Sequence, residues 1–365
     1  MKVVIIGGHL SPALAVIEKL KNDEVFFVGR KNTFEGDNSV SFEYQEITKL
    51  NIPFFSLASS RLQRKFTRHT FSSLSKFPIG LSQSIRILRK IEPDVVLGFG
   101  GYVSLPVVLA ANLLKIPLVI HEQTLEAGFT NKLASKFAKK ICISWESSAA
   151  YFPKEKTILT GNPLKNDILN SKKNIKVPNK IPVIYITGGS TGAHAINIFV
   201  ENNLEKLLKD FVIVHQTGDA KGYNDYDRLE EKKQTLKSSL SSNCTIKKFI
   251  SAKEVAQFIN SSDLVVGRSG INTVTELIFL EKPAFLIPLP IGQKNEQLKN
   301  AQFFKNLGLG EFADQNLLTN EEFFLSIRSM IKHLQKYKLK EKILITNAAE
   351  KIVEVLRDVS KKKAA

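Results

Sequence analysis

Asp263-Leu-Val-Val-Gly-Arg268-Ser-Gly270-Ile-Asn-Thr-Val-Thr-Glu276-Leu-Ile-Phe-Leu-Glu-Lys-Pro283, followed by Ala284-Phe-Leu-Ile-Pro288 and a polar loop ending Asn295-Glu-Gln297-Leu-Lys-Asn300, decides the fold. Leu264–Val266 is a short apolar run of the kind buried in a parallel sheet. Gly267 and Gly270 allow a sharp turn, and a helix starts directly behind them. Its first N–H groups, Gly270 to Thr273, have no partner inside the helix, and such an end attracts anions, phosphate above all. Glu276, one to two turns further on, has the chemistry to hold a sugar diol. The same residues also describe an ordinary strand–turn–helix crossover with Gly270 as a turn residue. On this stretch alone both readings stand.

Outward from it, short apolar strands alternate with helical segments along the whole chain, the pattern of a parallel α/β fold. Strands are expected at Lys2–Ile6, Val25–Val28, Asp94–Gly98, Pro117–Ile120, Lys140–Ile143 and Thr157–Leu159, then at Val183–Thr187, Phe211–Gln216, Thr245–Phe249, Leu264–Val266 and Ala284–Ile287. Helices are expected between them, including Pro12–Lys21, Ile79–Ile91, Leu105–Leu114, Asn131–Phe137 and Gly192–Lys209. Two more, Asn320–Gln335 and Lys340–Val359, close the chain. At 365 residues the chain exceeds the size of one ordinary core, so two domains are expected. The Lys- and Asn-rich segment Asn162–Pro182 is the natural boundary. It separates 1–162 from 163–340, with 341–365 as a terminal helix and tail.

The composition, 43% apolar and 24% charged, is that of a folded protein. A net charge of +17 calls for a polyanionic partner. Much of it is concentrated: from Ile47 to Ile91 no acidic residue occurs beside nine Lys or Arg, with Phe54, Phe55, Leu57, Leu62, Phe66, Phe71, Leu74 and Phe77 interleaved. Cations among apolar side chains suit the headgroup layer of an anionic membrane, at roughly 1 kcal/mol per basic residue near the surface. Single-stranded nucleic acid and a solvated face over a small cluster are the competing readings; no RNA-binding motif accompanies the patch, and nucleic acid is not expected. The opening Met1-Lys2-Val-Val-Ile-Ile-Gly7-Gly8 does not read as a signal peptide. The best apolar run, Pro106–Ile120, is broken by Lys115. The expectation is a cytoplasmic protein that touches a membrane without crossing it. Cys142 and Cys244 lie far apart in apolar stretches and read as buried thiols.

Three further turns carry candidate chemistry. Gly7-Gly8-His9-Leu10-Ser11-Pro12 joins the first strand to the first helix, with Ser11 as N-cap and Pro12 at the first helical position. His9 would then project beyond the carboxyl end of the strand, where doubly wound sheets bind ligands and where an imidazole serves as a general base. A histidine bonded to a loop carbonyl is the alternative. Gly98-Phe-Gly100-Gly101-Tyr102 allows close backbone approach to a ligand or to the neighbouring loop. Gly188-Gly189-Ser190-Thr191-Gly192-Ala193 lacks the Gly-Lys-Ser/Thr of a P-loop but suits a phosphate cradle. No dinucleotide fingerprint occurs, and His121-Glu122-Gln123 is not a zinc motif; neither a metal nor another cofactor is expected.

Assembled, these blocks resemble the MurG-type N-acetylglucosaminyltransferases of glycosyltransferase family 28. The resemblance rests on Gly98-Phe-Gly-Gly-Tyr-Val-Ser104, Ile120-His-Glu-Gln123 with Thr130-Asn131, Thr160-Gly-Asn-Pro163, Gly188-Gly-Ser190 with Gly192-Ala193, His215-Gln-Thr-Gly218, and Arg268-Ser-Gly270 with Thr273-Val274 and Glu276. It implies a GT-B fold: two Rossmann-like parallel-sheet domains facing a cleft, with the C-terminal helix returning to the N-terminal domain. It implies inverting transfer of N-acetylglucosamine from UDP-GlcNAc to an undecaprenyl-pyrophosphoryl-MurNAc-pentapeptide at the cytoplasmic face of the membrane, in peptidoglycan synthesis. By motif, His9 is the base. Ile250 meets the uracil, Glu276 the ribose, and Ser190 with Gly270, Ile271, Asn272, Thr273, Val274 and Thr275 the diphosphate, while Gln297 holds the sugar. Gly8, Gly101, Tyr102, Thr124 and Lys165 are weaker acceptor or sugar contacts.

The chain departs from the family's Gly-Gly-Thr-Gly-Gly-His loop, of which Gly7-Gly8-His9 remains, and has Thr124 and Lys165 where the family has asparagine and arginine. The alternatives kept open are a GT-B enzyme with another lipid acceptor, such as diacylglycerol, and a UDP-sugar-binding protein without turnover.

Overall fold

The computed structural model describes residues 1–32, 40–57, 68–171, 181–189, 191–220, 222–290 and 295–361, with side chains of 68–76 left aside. The apolar runs between glycine turns form strands buried on both faces, where side chains without polar atoms incur no desolvation cost. In the first half β1 (Lys2–Ile6), β2 (Glu24–Gly29), β3 (Phe54–Ser56), β4 (Val95–Gly98), β5 (Leu118–Glu122), β6 (Lys140–Ile143) and β7 (Thr157–Leu159) make a seven-stranded sheet in the order β3-β2-β1-β4-β5-β6-β7. In the second, β8 (Val183–Thr187), β9 (Val212–Gln216), β10 (Cys244–Lys247), β11 (Leu264–Gly267), β12 (Ala284–Leu286) and β13 (Gly310–Phe312) make a six-stranded sheet, β10-β9-β8-β11-β12-β13. All named pairs are parallel. The fold is thus two Rossmann-like α/β sheets, and each reverses its winding direction once, between β1 and β4 and between β8 and β11. Ligands of such sheets sit beyond the carboxyl ends of the strands at that reversal.

Met1–Lys165 with Ile345–Ala365 forms one compact unit, and Asn166–Leu344 forms the other. In the first unit, helices α1 (Leu10–Ile17), α2 (Phe42–Lys49), α3 (Arg68–Ile91), α4 (Ser104–Leu113) and α5 (Phe129–Ala134) follow the strands. The second unit carries α6 (Asn166–Ser171), α7 (His194–Asp210), α8 (Asp225–Gln234), α9 (Ser238–Ser241), α10 (Ala252–Ser261), α11 (Ile271–Phe279), α12 (Glu296–Asn306) and α13 (Asn320–Lys332). The last helix, α14 (Ala348–Lys361), returns to the first unit. Its Ile352, Val353, Leu356 and Val359 repeat at helical spacing and bury against Val3, Ile5, Val95 and Leu97 on one face of the first sheet. Lys19 and Glu350, 2.8 Å apart, close the edge of that contact. Both cysteines are buried, and burial pushes their thiols up to about 12 at Cys142 and about 11 at Cys244.

The structure shifts several expected elements. The first helix starts at Leu10 with His9 as its N-cap, so Ser11 does not cap it and Pro12 sits at the third position. The shift is tolerated because the first four N–H groups of a helix have no intrahelical partner for proline to remove. Helix α3 runs through Pro78 and begins at Arg68, eleven residues before Ile79, where the expected helix begins. Part of the expected boundary segment is the helix α6, whose Ile168 is buried and whose Ser171 carbonyl accepts from Asn260 Nδ2 at 2.7 Å. Further elements not expected from the sequence are α2, α8, α9, β3 and β13. Among the described residues no helix is long and apolar enough to cross a membrane.

Candidate active site

In the first unit, β1 ends in Gly7-Gly8-His9, and the turn after β4 packs directly on it. A Cβ on Gly8 would collide with the Gly100 carbonyl, and one on Gly101, at φ +78°, would approach Gly8 Cα to 3.0 Å. Of the two uses foreseen for the double glycine, close approach to the neighbouring loop is the one observed. The approach brings three chain segments together. His9 Nδ1 lies 3.1 Å from the Phe99 carbonyl and 2.7 Å from the side-chain amide of Gln123 at the end of β5. Behind it, the fully buried His121 is pushed down to about 4 by burial, with His9 itself contributing. Its Nε2 stands 3.2 Å from both the Gly161 carbonyl and Ser144 Oγ.

The loop after β5 is fixed by a buried carboxylate. Glu122 accepts from the N–H groups of Thr124 and Gly128, at 3.0 and 2.9 Å, and from Asn131 Nδ2 at 3.0 Å. Thr124 also donates its hydroxyl to Glu122 at 2.6 Å, and that hydroxyl contacts the Glu126 carbonyl. The side chain of Thr124 is therefore occupied within the protein. Tyr102 lies under the Arg30 guanidinium, 4.6 Å from ring centroid to Cζ, with its hydroxyl buried and without a partner among the described residues. Lys165 is the last residue of the first unit's main segment and is half-buried.

The shortened glycine loop has a support that the sequence did not announce. Glu43, on α2, lays its carboxylate between Gly7 and Gly29, where a Cβ on either would meet it. It accepts from the Arg30 N–H at 3.2 Å and from the Gly8 N–H. Desolvation raises the Glu43 carboxyl above its ordinary range, opposed by those two N–H groups and the Arg30 charge.

In the second unit, β11 passes through Arg268-Ser269 into α11, capped by Gly270 at φ −61°, ψ 140°. Among the described residues nothing stands within 4 Å of the position a Gly270 Cβ would take. The turn is held from behind. Ser269 donates to the Gln297 carbonyl at 2.7 Å, Asn300 Nδ2 donates to the Ser269 carbonyl at 3.0 Å, and Gln297 Oε1 accepts from Leu289 N–H at 3.0 Å. Arg268 donates to the Ile287 and Pro288 carbonyls and to Gln315 Oε1, at 2.9, 3.2 and 2.6 Å, and desolvation pulls it down to about 10.

Along α11, Asn272, Thr273 and Glu276 are partly exposed, while Ile271, Val274 and Thr275 are buried. Ile271 therefore reaches a ligand only through its main chain. The side chains of Val274 and Thr275 likewise lie in the core. The Val274 N–H is already donated to the Gly270 carbonyl at 2.9 Å, and the Thr275 hydroxyl to the Ile271 carbonyl at 2.8 Å. Ile250, at the end of the loop after β10, is half-buried. Ser190 lies outside the described residues, as does the stretch 58–67 of the basic segment.

Two doubly wound parallel sheets, each with a glycine turn opening a helix beside its reversal point, define a two-domain α/β protein of the GT-B class. Residues 6–143 match the glycosyltransferase family 28 N-terminal domain and residues 183–356 its C-terminal domain. The chain is 34% identical over 339 residues to the UDP-N-acetylglucosamine--N-acetylmuramyl-(pentapeptide) pyrophosphoryl-undecaprenol N-acetylglucosamine transferase of Clostridium botulinum, covering 89% of this chain and 88% of that protein. The crystal structure of MurG from Acinetobacter baumannii is similar at a TM-score of 0.71 and 26% identity, over 98% of this chain and 100% of that one. A UDP-GlcNAc 2-epimerase from Neisseria meningitidis shares the fold, at 0.66 and 18% over 98% and 100%. This chain belongs to glycosyltransferase family 28.

Proposed function

We infer that the chain transfers N-acetylglucosamine from UDP-GlcNAc to the muramyl-pentapeptide carried on pyrophosphoryl-undecaprenol, with inversion at the anomeric carbon, as a step of peptidoglycan synthesis. Full-length similarity to enzymes of that name supports the reaction class. The observation that carries it at the level of atoms is His9, set at the carboxyl end of β1 beside the sheet's reversal point, with its Nδ1 edge turned to Phe99 and Gln123. His9 takes the proton of the attacking acceptor hydroxyl as the new C–O bond forms, and UDP departs with the electrons of the old one.

The leaving diphosphate is met by the N-terminus of α11, whose first N–H groups at Ile271, Asn272 and Thr273 lie in the open turn behind Gly270. Glu276 holds the ribose, Ile250 packs on the uracil, Gln297 holds the sugar and Ser190 adds to the diphosphate contacts. Gly8, Gly101, Tyr102, Thr124 and Lys165 border the acceptor. The basic, apolar segment 47–91 meets the anionic face of the cytoplasmic membrane, which the enzyme joins peripherally. Ile79, Arg86, Arg89 and Lys90 are exposed on its described part.

One observation favours a second acceptor class. The Glu43 carboxyl takes the Gly8 N–H, so that donor is already engaged at the turn where an acceptor diphosphate would rest, whereas an uncharged diacylglycerol has no need of it. Transfer of labelled GlcNAc to a short-tailed analogue of the lipid-linked MurNAc-pentapeptide, with diacylglycerol run alongside, decides between them. Transfer to the muramyl acceptor that disappears in His9→Ala is the expected result. UDP-GlcNAc binding without that transfer would overturn the acceptor assignment and leave the donor assignment standing.

A further inference from the structure

Gln123 belongs to no role assigned so far, yet its side chain is buried to 1% exposure with its amide 2.7 Å from His9 Nδ1. Its main chain is fixed as well, since its carbonyl accepts from Trp145 Nε1 at 2.9 Å. Three atoms meet at this point, and their donor and acceptor capacities are not independent. The Phe99 carbonyl, 3.1 Å from His9 Nδ1, only accepts. With Gln123 Nε2 facing Nδ1, the ring nitrogen would have to accept from the amide while turning its lone pair toward that carbonyl, and Gln123 Oε1 is buried without a partner. A half-turn of the amide, which exchanges two atoms of nearly equal size, removes the conflict. Nδ1–H then donates to both the Phe99 carbonyl and Gln123 Oε1. The amide nitrogen moves to the site where the oxygen has no partner among the described residues, so the choice is made at Nδ1.

We propose that Gln123 is a positioning residue for the transfer, accepting the Nδ1–H of His9 with its amide oxygen and so leaving the Nε2 lone pair to take the proton of the attacking hydroxyl. The proposal rests on the glycosyl-transfer reading above for its consequence, though not for its geometry. An imidazole has one lone pair when neutral, and the partner of one nitrogen decides which nitrogen is the base. The pairing joins residues 114 positions apart, and it depends on the glycine contact that brings the two loops together. The titratable groups around His9 are His121 on β5, held neutral by burial, and Glu43, whose carboxylate binds the Gly8 N–H.

The test compares the full chain with Gln123→Leu, Gln123→Glu and His9→Ala. Protein labelled with 15N in histidine reports the tautomer directly, with the His9 signals assigned by their loss in His9→Ala. The proton is expected on Nδ1 in the unaltered chain. In Gln123→Leu the Phe99 carbonyl remains as an acceptor at Nδ1, so the preference weakens and the Nε2–H form becomes detectable, and kcat falls on the order of tenfold while KM for UDP-GlcNAc holds. In Gln123→Glu, whose carboxylate only accepts, the Nδ1–H form and most of the activity remain. The acidic limb of the kcat/KM profile then moves to higher pH, because a neighbouring negative charge favours imidazolium. With a purely structural Gln123, Gln123→Leu would leave the tautomer where it is.

A proton found on Nε2 in the unaltered chain overturns the proposal, and so does a Gln123→Glu enzyme as impaired as a folded Gln123→Leu. Should Gln123→Leu fail to fold, the Gln123→Glu profile and the tautomer of the unaltered chain still decide. The resonance measurement needs no turnover, so a chain that fails to glycosylate the muramyl acceptor leaves the His9–Gln123 geometry testable on its own.

Discussion

The turn after β1 and the turn after β11 each lie at the carboxyl end of a strand flanking its sheet's reversal point, yet they are made of different material. Around His9 the working groups are side chains from distant parts of the chain: Gln123 at the end of β5, Glu43 from α2, and Glu122 fixing the loop behind. Around Gly270 they are main-chain N–H groups, and several side chains of α11 face the core instead. A leaving diphosphate needs fixed dipoles, which a helix end supplies whatever its side chains are. A base needs one nitrogen with one tautomer, which only a particular set of side chains supplies. Substitution should therefore affect chemistry in the first unit and stability in the second.

The largest effect expected under this contrast is that of His9→Ala. Loss of the proposed general base should lower kcat roughly 10²- to 10⁴-fold, and calorimetric affinity for UDP-GlcNAc should stay as it is, because the proposed donor groups belong to the other unit. A matching loss of donor affinity would break the contrast. The second-unit counterpart is Leu277→Ala on α11, fully buried at 0% exposure. It should cost about 2–5 kcal/mol of stability, visible as a lower melting temperature, with KM for UDP-GlcNAc unchanged in the protein that remains folded. An increase in KM without destabilisation would show that the helix face binds after all.

The contrast also explains what the sequence made visible. Leu264–Val266 followed by Gly267 and Gly270 is a local signal: an apolar run, a turn and a helix start lie within ten residues, and the structure has each of them. The weak points are tertiary. Helix α8, Asp-Tyr-Asp-Arg-Leu-Glu-Glu-Lys-Lys-Gln, has almost no apolar stripe to announce it, and Leu229 is its one fully buried aliphatic residue. Its start is fixed by the buried Asp225, which takes hydrogen bonds from Asn197 Nδ2 at 2.8 Å and pairs with His194 at 2.7 Å. The pairing of Glu43 with the Gly8 loop was equally hidden, because α2 carries a single buried residue, Ile47. Gln123 stood in the quoted His-Glu-Gln motif, but nothing local pointed it at His9. The expected helix Ile79–Ile91 errs in the opposite sense, being too short: an interior proline ordinarily ends a helix, and here α3 continues through Pro78.

Acid should destabilise both units through one buried histidine each. Burial lowers His121 and His215 to about 4, below the ordinary value near 6.5. Between those values the unfolded chain binds more protons than the folded one, so stability is lost as pH falls from about 6.5 toward 4 and levels off below. Each group contributes a few kcal/mol over that window. Chemical denaturation from pH 7 to 4.5 should show the decline, and His215→Gln should flatten it for the second unit while leaving the first unit's decline in place. An unchanged slope in that variant would mean that His215 is not the group responsible.

The smallest effect probes the helix end most directly. Gly270 has an extended backbone that any residue adopts, and a Cβ there meets nothing within 4 Å among the described residues. Gly270→Ala should therefore fold normally and melt within about 0.5 kcal/mol of the unaltered chain, as a substitution away from packed groups does. The added methyl nevertheless stands in the open space before the first N–H groups of α11. If UDP rests there, its affinity should fall by roughly tenfold, about 1.4 kcal/mol, for UDP and UDP-GlcNAc alike. Equal loss for both would place the contact on the diphosphate, whereas loss for UDP-GlcNAc alone would move it to the sugar. A variant that binds both normally would take the helix end out of the donor site, and the division of labour between the two turns would fail with it.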